Sequence, residues 1–159
     1  MEIRQVDPGR DLKQVRMVTV KSFSETPDAS IDEWFSMEEL GKSLVEGRGI
    51  CFVAVDNEEF VGVIHAMQEN PINGREGIEK WVITNLAVVP SATGRGMGGK
   101  LLVEIEREAK GRGAKKMFVH TNLDDERVIH FYEKNGYEKA GEIKDYYYAG
   151  SAVFLLKYL

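Results

Sequence analysis

The segment with the clearest chemical potential is PSATGRGMGGKLL, which spans residues 90–102. Four of the six residues from Gly94 to Gly99 are glycine, and an amphipathic helical pattern begins at Met97. Glycine has no Cβ, so backbone N–H groups can approach phosphate oxygens closely. The N-terminus of the following helix favours the same negative charge. The segment therefore predicts a phosphate-binding loop.

Several kinds of loop fit these glycines, and the flanking residues discriminate among them. A nucleotide P-loop requires a hydroxyl residue after Gly99-Lys100, but Leu101 stands there. A dinucleotide fingerprint follows its strand directly and needs a second mononucleotide half, whereas residues 89–93 intervene and only one helix and a strand pair remain after residue 121. A plain structural turn is disfavoured by the number of glycines. A turn that holds the pyrophosphate of coenzyme A remains.

The elements that must position this loop follow from hydrophobic periodicity. The predicted order is β-α-α-β-β-β-α-β-α-β-β. The strand before the loop, the following helix and the next strand form a βαβ crossover, so two strands are expected to be parallel. The predicted bounds are a strand at Glu2–Val6, helices at about Arg10–Ser24 and Ile31–Val45, strands at Ile50–Val55 and Phe60–Met67, a polar loop at Pro71–Lys80, a strand at Trp81–Val89, a helix at Met97–Gly111, a strand at Lys115–Thr121, a helix at Glu126–Asn135, and two closing strands from Tyr137.

Composition limits the class of protein. The chain has 159 residues, 43% hydrophobic and 30% charged, which predicts one soluble globular domain. No apolar run approaches the roughly 20 residues of a membrane span, and the N-terminus lacks a secretory pattern. Cys51 is the single cysteine, so an internal disulfide is excluded and a reducing, cytoplasmic setting is favoured. Its position in an apolar run predicts a buried strand residue. The net charge of −5 argues against nucleic acid, and three scattered histidines predict no metal site.

The element order and two motifs resemble the GNAT superfamily of acyl-CoA-dependent N-acyltransferases. The first motif is NLAVVP at residues 85–90, followed by TGRGMG at 93–98. The second is FYEKNGY at residues 131–137, at the separation typical of the family. The resemblance covers essentially the whole chain. It implies an α/β fold with a mixed, mostly antiparallel sheet of about seven strands, a central splayed parallel pair, and helices on both faces.

The resemblance also implies how the cofactor, acetyl-CoA, is bound. The glycine loop would wrap the pyrophosphate with backbone amides, and the preceding strand would offer main-chain groups to the pantetheine arm. Thr93 occupies the usual Gln or Arg position, so one contact is expected to be lost. Asp125 stands where the family often has Asn, and a helix N-cap at Asp124 or Asp125 explains the residue fully. The predicted cofactor-binding residues are Leu86, Ala87, Val88, Gly94, Arg95, Gly96, Met97, Gly98, Gly99, Asn122 and Asp125.

Two catalytic roles are implied by the resemblance. Tyr132 matches the tyrosine that protonates the departing thiolate, although a core aromatic is the alternative. His120 matches the position of a general base in some members, and its ordinary pKa near 6.5 suits that task. Glu79, or a water held near Thr84 and Asn85, is the alternative base. His65 and His130 are interpreted as structural.

The resulting hypothesis is an N-acetyltransferase that acts on a primary amine of a small molecule or a peptide. A non-catalytic acyl-CoA sensor is the alternative. The aromatic run Asp145–Tyr148 and the acidic residues of the second helix would suit a cationic amine, although solvation explains the acidic residues equally well. The closing strand, at Ala152–Leu156, is a candidate for pairing across a homodimer.

Overall fold

The computed structural model describes residues 1–23 and 31–159, and within them the strands form a single sheet. The strands are β1 (Glu2–Gln5), β2 (Gly49–Asp56), β3 (Glu59–Gln68), β4 (Lys80–Val88), β5 (Lys116–Asn122), β6 (Glu138–Tyr147) and β7 (Gly150–Tyr158). Their order in the sheet is β1-β2-β3-β4-β5-β7-β6. The α-helices that lie wholly within the described residues are α1 (Leu12–Ser22), α2 (Met37–Val45), α3 (Arg75–Glu79), α4 (Met97–Gly111) and α5 (Glu126–Lys134).

Strand pairing confirms the predicted mixed sheet. The pairs β1–β2, β2–β3, β5–β7 and β6–β7 are antiparallel, whereas β4 and β5 are parallel. The parallel register joins Lys80–Val82 to Lys116–Phe118. Strand β7 lies between β5 and β6, so both of its edges are already paired. The strand that contains Ala152–Leu156, the candidate for pairing across a homodimer, therefore has no free edge in this sheet, and the strand at this end of the sheet is β6.

The chain divides into two compact units. Unit 1 comprises residues 1–67 and 84–111, and unit 2 comprises residues 68–83 and 112–159. In unit 1, buried side chains from α1 and α2 join those of β2, β3 and β4 in one apolar cluster. In unit 2, Trp81, Met117, Tyr137 and Leu155 are among the most deeply buried side chains. None of the described helices is long and apolar enough to span a bilayer.

Local hydrogen bonding explains where the observed bounds depart from the predicted ones. Within the helix predicted at Ile31–Val45, a turn interrupts the residues after Ile31, and α2 begins at Met37, where the Ser36 side chain accepts the amide of Glu39 and caps the helix. The loop predicted at 71–80 contains a 3-10 turn at Pro71–Asn73 and the short helix α3, where Arg75 pairs with Glu79. Helix α4 has the predicted bounds. The predicted end of the first helix, Ser24, lies outside the described residues.

Candidate active site

The glycine loop follows β4 in unit 1 and opens directly into α4. Gly94 and Gly96 adopt φ values of +77° and +72°, a conformation that other L-residues rarely adopt. A Cβ built on either glycine would meet no atom within 4 Å, so the surface of the loop is open. The first amides of a helix have no partner within the helix, and they carry partial positive charge. The loop therefore fits a pyrophosphate group.

Helix α4 is anchored beneath the loop by a close approach to β3. Met97 and Leu101 are almost fully buried. A Cβ on Gly62 would lie 3.0 Å from Leu101 Cδ1 and 3.4 Å from Met97 Cγ, so this glycine makes room for the first turn of the helix. Leu101 thus lies in the core, where a magnesium-binding hydroxyl has no place. Gly62 was not singled out in the sequence, and a glycine within an apolar strand was the available signal.

Strand β4 presents the predicted arm-binding residues next to the loop. Ala87 is buried in the apolar cluster, whereas Leu86 and Val88 are half-buried. The amide of Val89 donates to the carbonyl of Val61, which ties the end of β4 to β3. The Thr93 hydroxyl donates to the carbonyl of Pro90 at 2.7 Å, so this side chain is engaged within the turn.

Tyr132 lies on α5 in unit 2 and is 3% exposed. Its ring packs edge-on against Phe131 and Tyr137, with centroids 5.1 and 5.3 Å away. Burial raises the pKa of the Tyr132 phenol well above its usual value. The hydroxyl therefore carries its proton throughout the neutral pH range.

His120 lies on β5 among aromatic side chains of the closing hairpin. Its Nδ1 is 2.8 Å from the Tyr147 hydroxyl, and its ring centroid is 5.0 Å from that of Phe154. The Tyr146 hydroxyl lies 3.5 Å from Nε2. Burial lowers the pKa of His120, and burial together with Tyr146 raises the pKa of Tyr147 to about 12. At neutral pH His120 is therefore uncharged and has a nitrogen lone pair.

The alternative base, Glu79, has a different environment. Its carboxylate accepts a hydrogen bond from Arg75 Nε at 2.7 Å on α3. This bond lowers the pKa of Glu79, so the carboxylate is a weak proton acceptor. Of the other two histidines, His65 is buried and His130 is exposed on α5.

Asn122 and Asp125 are both engaged in local structure. The Asn122 side chain accepts the amide of Asp124 and donates to the carbonyl of Ala149. Asp125 Oδ1 accepts the amide of Val128 at 3.2 Å and caps α5. The N-cap interpretation of Asp125 is thus confirmed.

The remaining candidate for nucleophilic or metal chemistry is Cys51. It is 2% exposed in β2, and burial strongly raises the pKa of its thiol. A reactive cysteine needs the opposite shift and an accessible position. Across residues 1–23 and 31–159, no group of three or more His, Cys, Asp or Glu side chains is arranged to hold a metal ion.

An open glycine loop at a helix N-terminus, next to a strand of a mixed sheet with one parallel pair, agrees with the fold that the resemblance to acyl-CoA-dependent N-acyltransferases implies. The chain belongs to the Acetyltransferase (GNAT) family, whose model matches residues 12–137. It is an N-acetyltransferase that uses acetyl-CoA as its acyl donor, and this family match favours catalysis over a purely sensing role.

Individual proteins and solved structures are similar to this chain. N-alpha-acetyltransferase 30 of Schizosaccharomyces pombe is 31% identical over 103 residues, which are 65% of this chain and 67% of that protein. An aminoglycoside 6'-acetyltransferase type Ii structure is 26% identical, with a TM-score of 0.80 over 99% of this chain and 97% of that one. The PaiA N-acetyltransferase of Thermoplasma acidophilum, solved with coenzyme A, shares the fold at 22% identity, with a TM-score of 0.79 over 99% of this chain and 98% of that one.

Proposed function

We propose that the chain transfers the acetyl group of acetyl-CoA to the α-amino group of a peptide. The observation that carries this acceptor class is the 31% identity to an N-alpha-acetyltransferase. Tyr146, near the end of β6, and Tyr148, in the turn before β7, are 45% and 102% exposed and support the same acceptor. Such side chains offer a flat apolar face and a hydroxyl to an extended peptide.

The proposal assigns cofactor binding to the glycine loop and to β4. Backbone amides between Gly94 and Gly99 hold the pyrophosphate, and the exposed cations Arg95 and Lys100 add positive charge. Main-chain groups of Leu86, Ala87 and Val88 hold the pantetheine arm. The proposal keeps Asn122 and Asp125 as residues close to the cofactor, beside their local roles.

The proposal assigns proton transfer to two residues of unit 2. Bound acetyl-CoA supplies a thioester whose carbonyl carbon accepts the amine nitrogen and whose sulfur leaves. His120 takes the proton that the amine loses as the C–N bond forms, because its uncharged ring has a lone pair. A backbone amide of β4 donates to the carbonyl oxygen. Tyr132 gives its hydroxyl proton to the sulfur as the C–S bond breaks.

We also infer the domain organisation, the cellular location and the oligomeric state of the enzyme. Both units are taken as one catalytic domain over residues 1–159, supported by a family match at 12–137 that includes parts of each. A cytoplasmic setting is supported by the single buried thiol of Cys51. A homodimer would use the edge strand β6, whose residues are mostly exposed.

A second acceptor class has its own support. The aminoglycoside 6'-acetyltransferase structure is 26% identical over nearly the whole chain, which favours a small polycationic amine. The net charge of −5 suits such a substrate. The two classes differ in which amine is acetylated.

A substrate panel separates these functions. Lysine-free peptides with different first residues, each paired with an N-formylated copy, are compared with kanamycin and spermidine by thiol release from acetyl-CoA and by product mass. We expect acetylation of free peptides and none of the formylated copies. Turnover of kanamycin or spermidine alone would contradict the peptide proposal. Acetyl-CoA binding without turnover of any amine would favour the sensor.

A further inference from the structure

Three side chains from different elements of unit 1 form a continuous hydrogen-bonded chain that the mechanism above does not use. Ser43 Oγ on α2 lies 3.0 Å from His65 Nε2 on β3. His65 Nδ1 lies 2.5 Å from Thr84 Oγ1 on β4. We call this arrangement the Ser43–His65–Thr84 chain.

The hydrogen bonds of the Ser43–His65–Thr84 chain have one consistent assignment of donors and acceptors. The Ser43 hydroxyl donates to the carbonyl of Leu40 at 2.7 Å, so its oxygen accepts the N–H of His65 Nε2. Burial, with a smaller contribution from Arg48, lowers the pKa of His65 to about 4, so the ring is neutral and carries one proton. Nδ1 is then an acceptor, and the Thr84 hydroxyl donates to it. The other acceptor near this hydroxyl, the His65 carbonyl, is farther away at 3.4 Å.

The Ser43–His65–Thr84 chain begins in the core and ends at an exposed residue. Ser43 is fully buried and His65 is 2% exposed, whereas Thr84 is exposed. A Cβ on Gly49 would lie 2.2 Å from Ser43 Oγ, so a glycine on β2 makes room for the buried end. Because the Thr84 proton is committed to His65, the Thr84 oxygen can act toward any other group only as a hydrogen-bond acceptor. The exposed end of the chain is therefore an oriented hydrogen-bond acceptor.

Thr84 stands at a useful place along β4. The glycine loop follows the carboxyl end of this strand, and the proposed arm-binding residues begin at Leu86. Thr84 is two residues farther from the loop, which is about 7 Å along an extended strand. A pantetheine arm that starts at the loop and follows β4 backward delivers its acyl end toward Thr84.

We propose that the Thr84 hydroxyl accepts an N–H hydrogen bond from the acceptor amine and thereby orients the lone pair of the amine nitrogen toward the thioester. Thr84 is then a catalytic residue, and His65 and Ser43 are positioning residues that hold its hydroxyl. The inference rests on the proposed course of the cofactor arm along β4. It adds a group that recognises a primary amine, and it leaves the proton acceptor as assigned above.

Thr84 variants test the exposed end of the chain, with the amine that the panel shows to be acetylated as the probe. Thr84→Val keeps the shape of the side chain and removes the hydroxyl. We expect kcat/KM for the amine to fall about 10-fold, the effect of one lost hydrogen bond of about 1.4 kcal/mol. The KM for acetyl-CoA should not change, and Thr84→Ser should retain most activity. Equal kcat/KM for Thr84→Val and the parent would overturn this inference and leave the acetyltransferase assignment intact.

His65 variants test whether the buried residues act through Thr84. His65→Leu removes the acceptor for the Thr84 hydroxyl, and we expect a similar loss in kcat/KM for the amine. In a Thr84→Val background the same change should have no further effect on kcat/KM, because the hydroxyl that it orients is gone. Thermal unfolding of each variant separates this effect from lost stability. Additive losses in the double variant would show a merely structural histidine and contradict the positioning role. A parent protein that acetylates no amine would overturn both this inference and the proposed function.

Discussion

At the residue scale, burial shifts the two proposed proton-transfer groups in opposite directions. It raises the pKa of the Tyr132 phenol and lowers the pKa of the His120 imidazole. Tyr132 therefore retains a proton to give, and His120 retains a lone pair to accept one. Both shifts have one cause, the removal of water from a neutral ring that would otherwise become charged.

The first prediction concerns Tyr132→Phe. The phenylalanine ring keeps the contacts with Phe131 and Tyr137, so the thermal midpoint should change little. Without the hydroxyl proton, kcat should fall by about 10²-fold, the lower end for a general acid. Steady-state thiol release measures this loss, and calorimetry checks that coenzyme A still binds.

A neighbouring tyrosine provides the control. Tyr137 is 2% exposed and packs on Tyr132, so Tyr137→Phe removes a second buried hydroxyl from the same cluster. It should leave kcat close to the parent value. Equal turnover for Tyr132→Phe and the parent would remove Tyr132 from the mechanism.

The residues that could be predicted from the sequence lie within short motifs, whereas the residues that could not be predicted lie far apart in the sequence. Gly94, Gly96 and Tyr132 belong to short motifs, and the resemblance to the GNAT superfamily pointed to Tyr132 within its motif. Ser43 and His65 are 22 residues apart, and His65 and Thr84 are 19 apart, on three different elements. Only tertiary packing brings these side chains together, and His65 was accordingly interpreted as structural. The motifs do not reveal such a chain.

At the element scale, local features of each helix explain why its predicted bounds were accurate or inaccurate. Helix α4 has its predicted bounds because glycines precede an unbroken apolar face. The second predicted helix is interrupted, because the apolar spacing continues through Ile31 and Phe35 while the cap at Ser36 starts a separate helix at Met37. The short helix α3 was predicted as loop, since five residues are too few for a periodic pattern.

The second prediction concerns the cap of α5. Asp125→Ala removes the acceptor for the Val128 amide, so the free energy of unfolding should fall by about 1 kcal/mol. Asp125→Asn preserves an acceptor oxygen and should lose only a few tenths of a kcal/mol. Urea unfolding measures both. An Ala variant as stable as the parent would contradict the assigned cap.

At the scale of the whole molecule, a single buried thiol reports on folding. Cys51 is the only cysteine in the sequence and is 2% exposed in β2. Reagents can reach it only when the surrounding structure opens. Its labelling rate therefore measures how often that happens.

The third prediction concerns that labelling rate. Iodoacetamide should modify Cys51 far more slowly in the folded protein than in urea. Acetyl-CoA at about 100 times its Kd should slow labelling further by about 100-fold, since a ligand that binds only the native state stabilises it by about 2.7 kcal/mol. Mass spectrometry gives the rate, and a short cysteine peptide is the control. Labelling as fast as that of the peptide would contradict the buried position.

Two matched glycine variants test most directly the central claim that backbone amides of the glycine loop bind the pyrophosphate. Gly96 and Gly47 share a φ of +72°, and an added Cβ meets no atom within 4 Å at either position. Alanine at each should therefore cost a similar roughly 1–2 kcal/mol of stability. In the proposed binding of the pyrophosphate, only the Gly96 methyl group would stand where phosphate oxygens approach.

Calorimetry with coenzyme A is the decisive measurement. The parent and Gly47→Ala should bind with similar affinity, and Gly96→Ala should bind at least about 10-fold more weakly, a loss of about 1.4 kcal/mol. Equal affinity in all three proteins, or a parent protein that does not bind coenzyme A, would contradict pyrophosphate binding by the glycine loop.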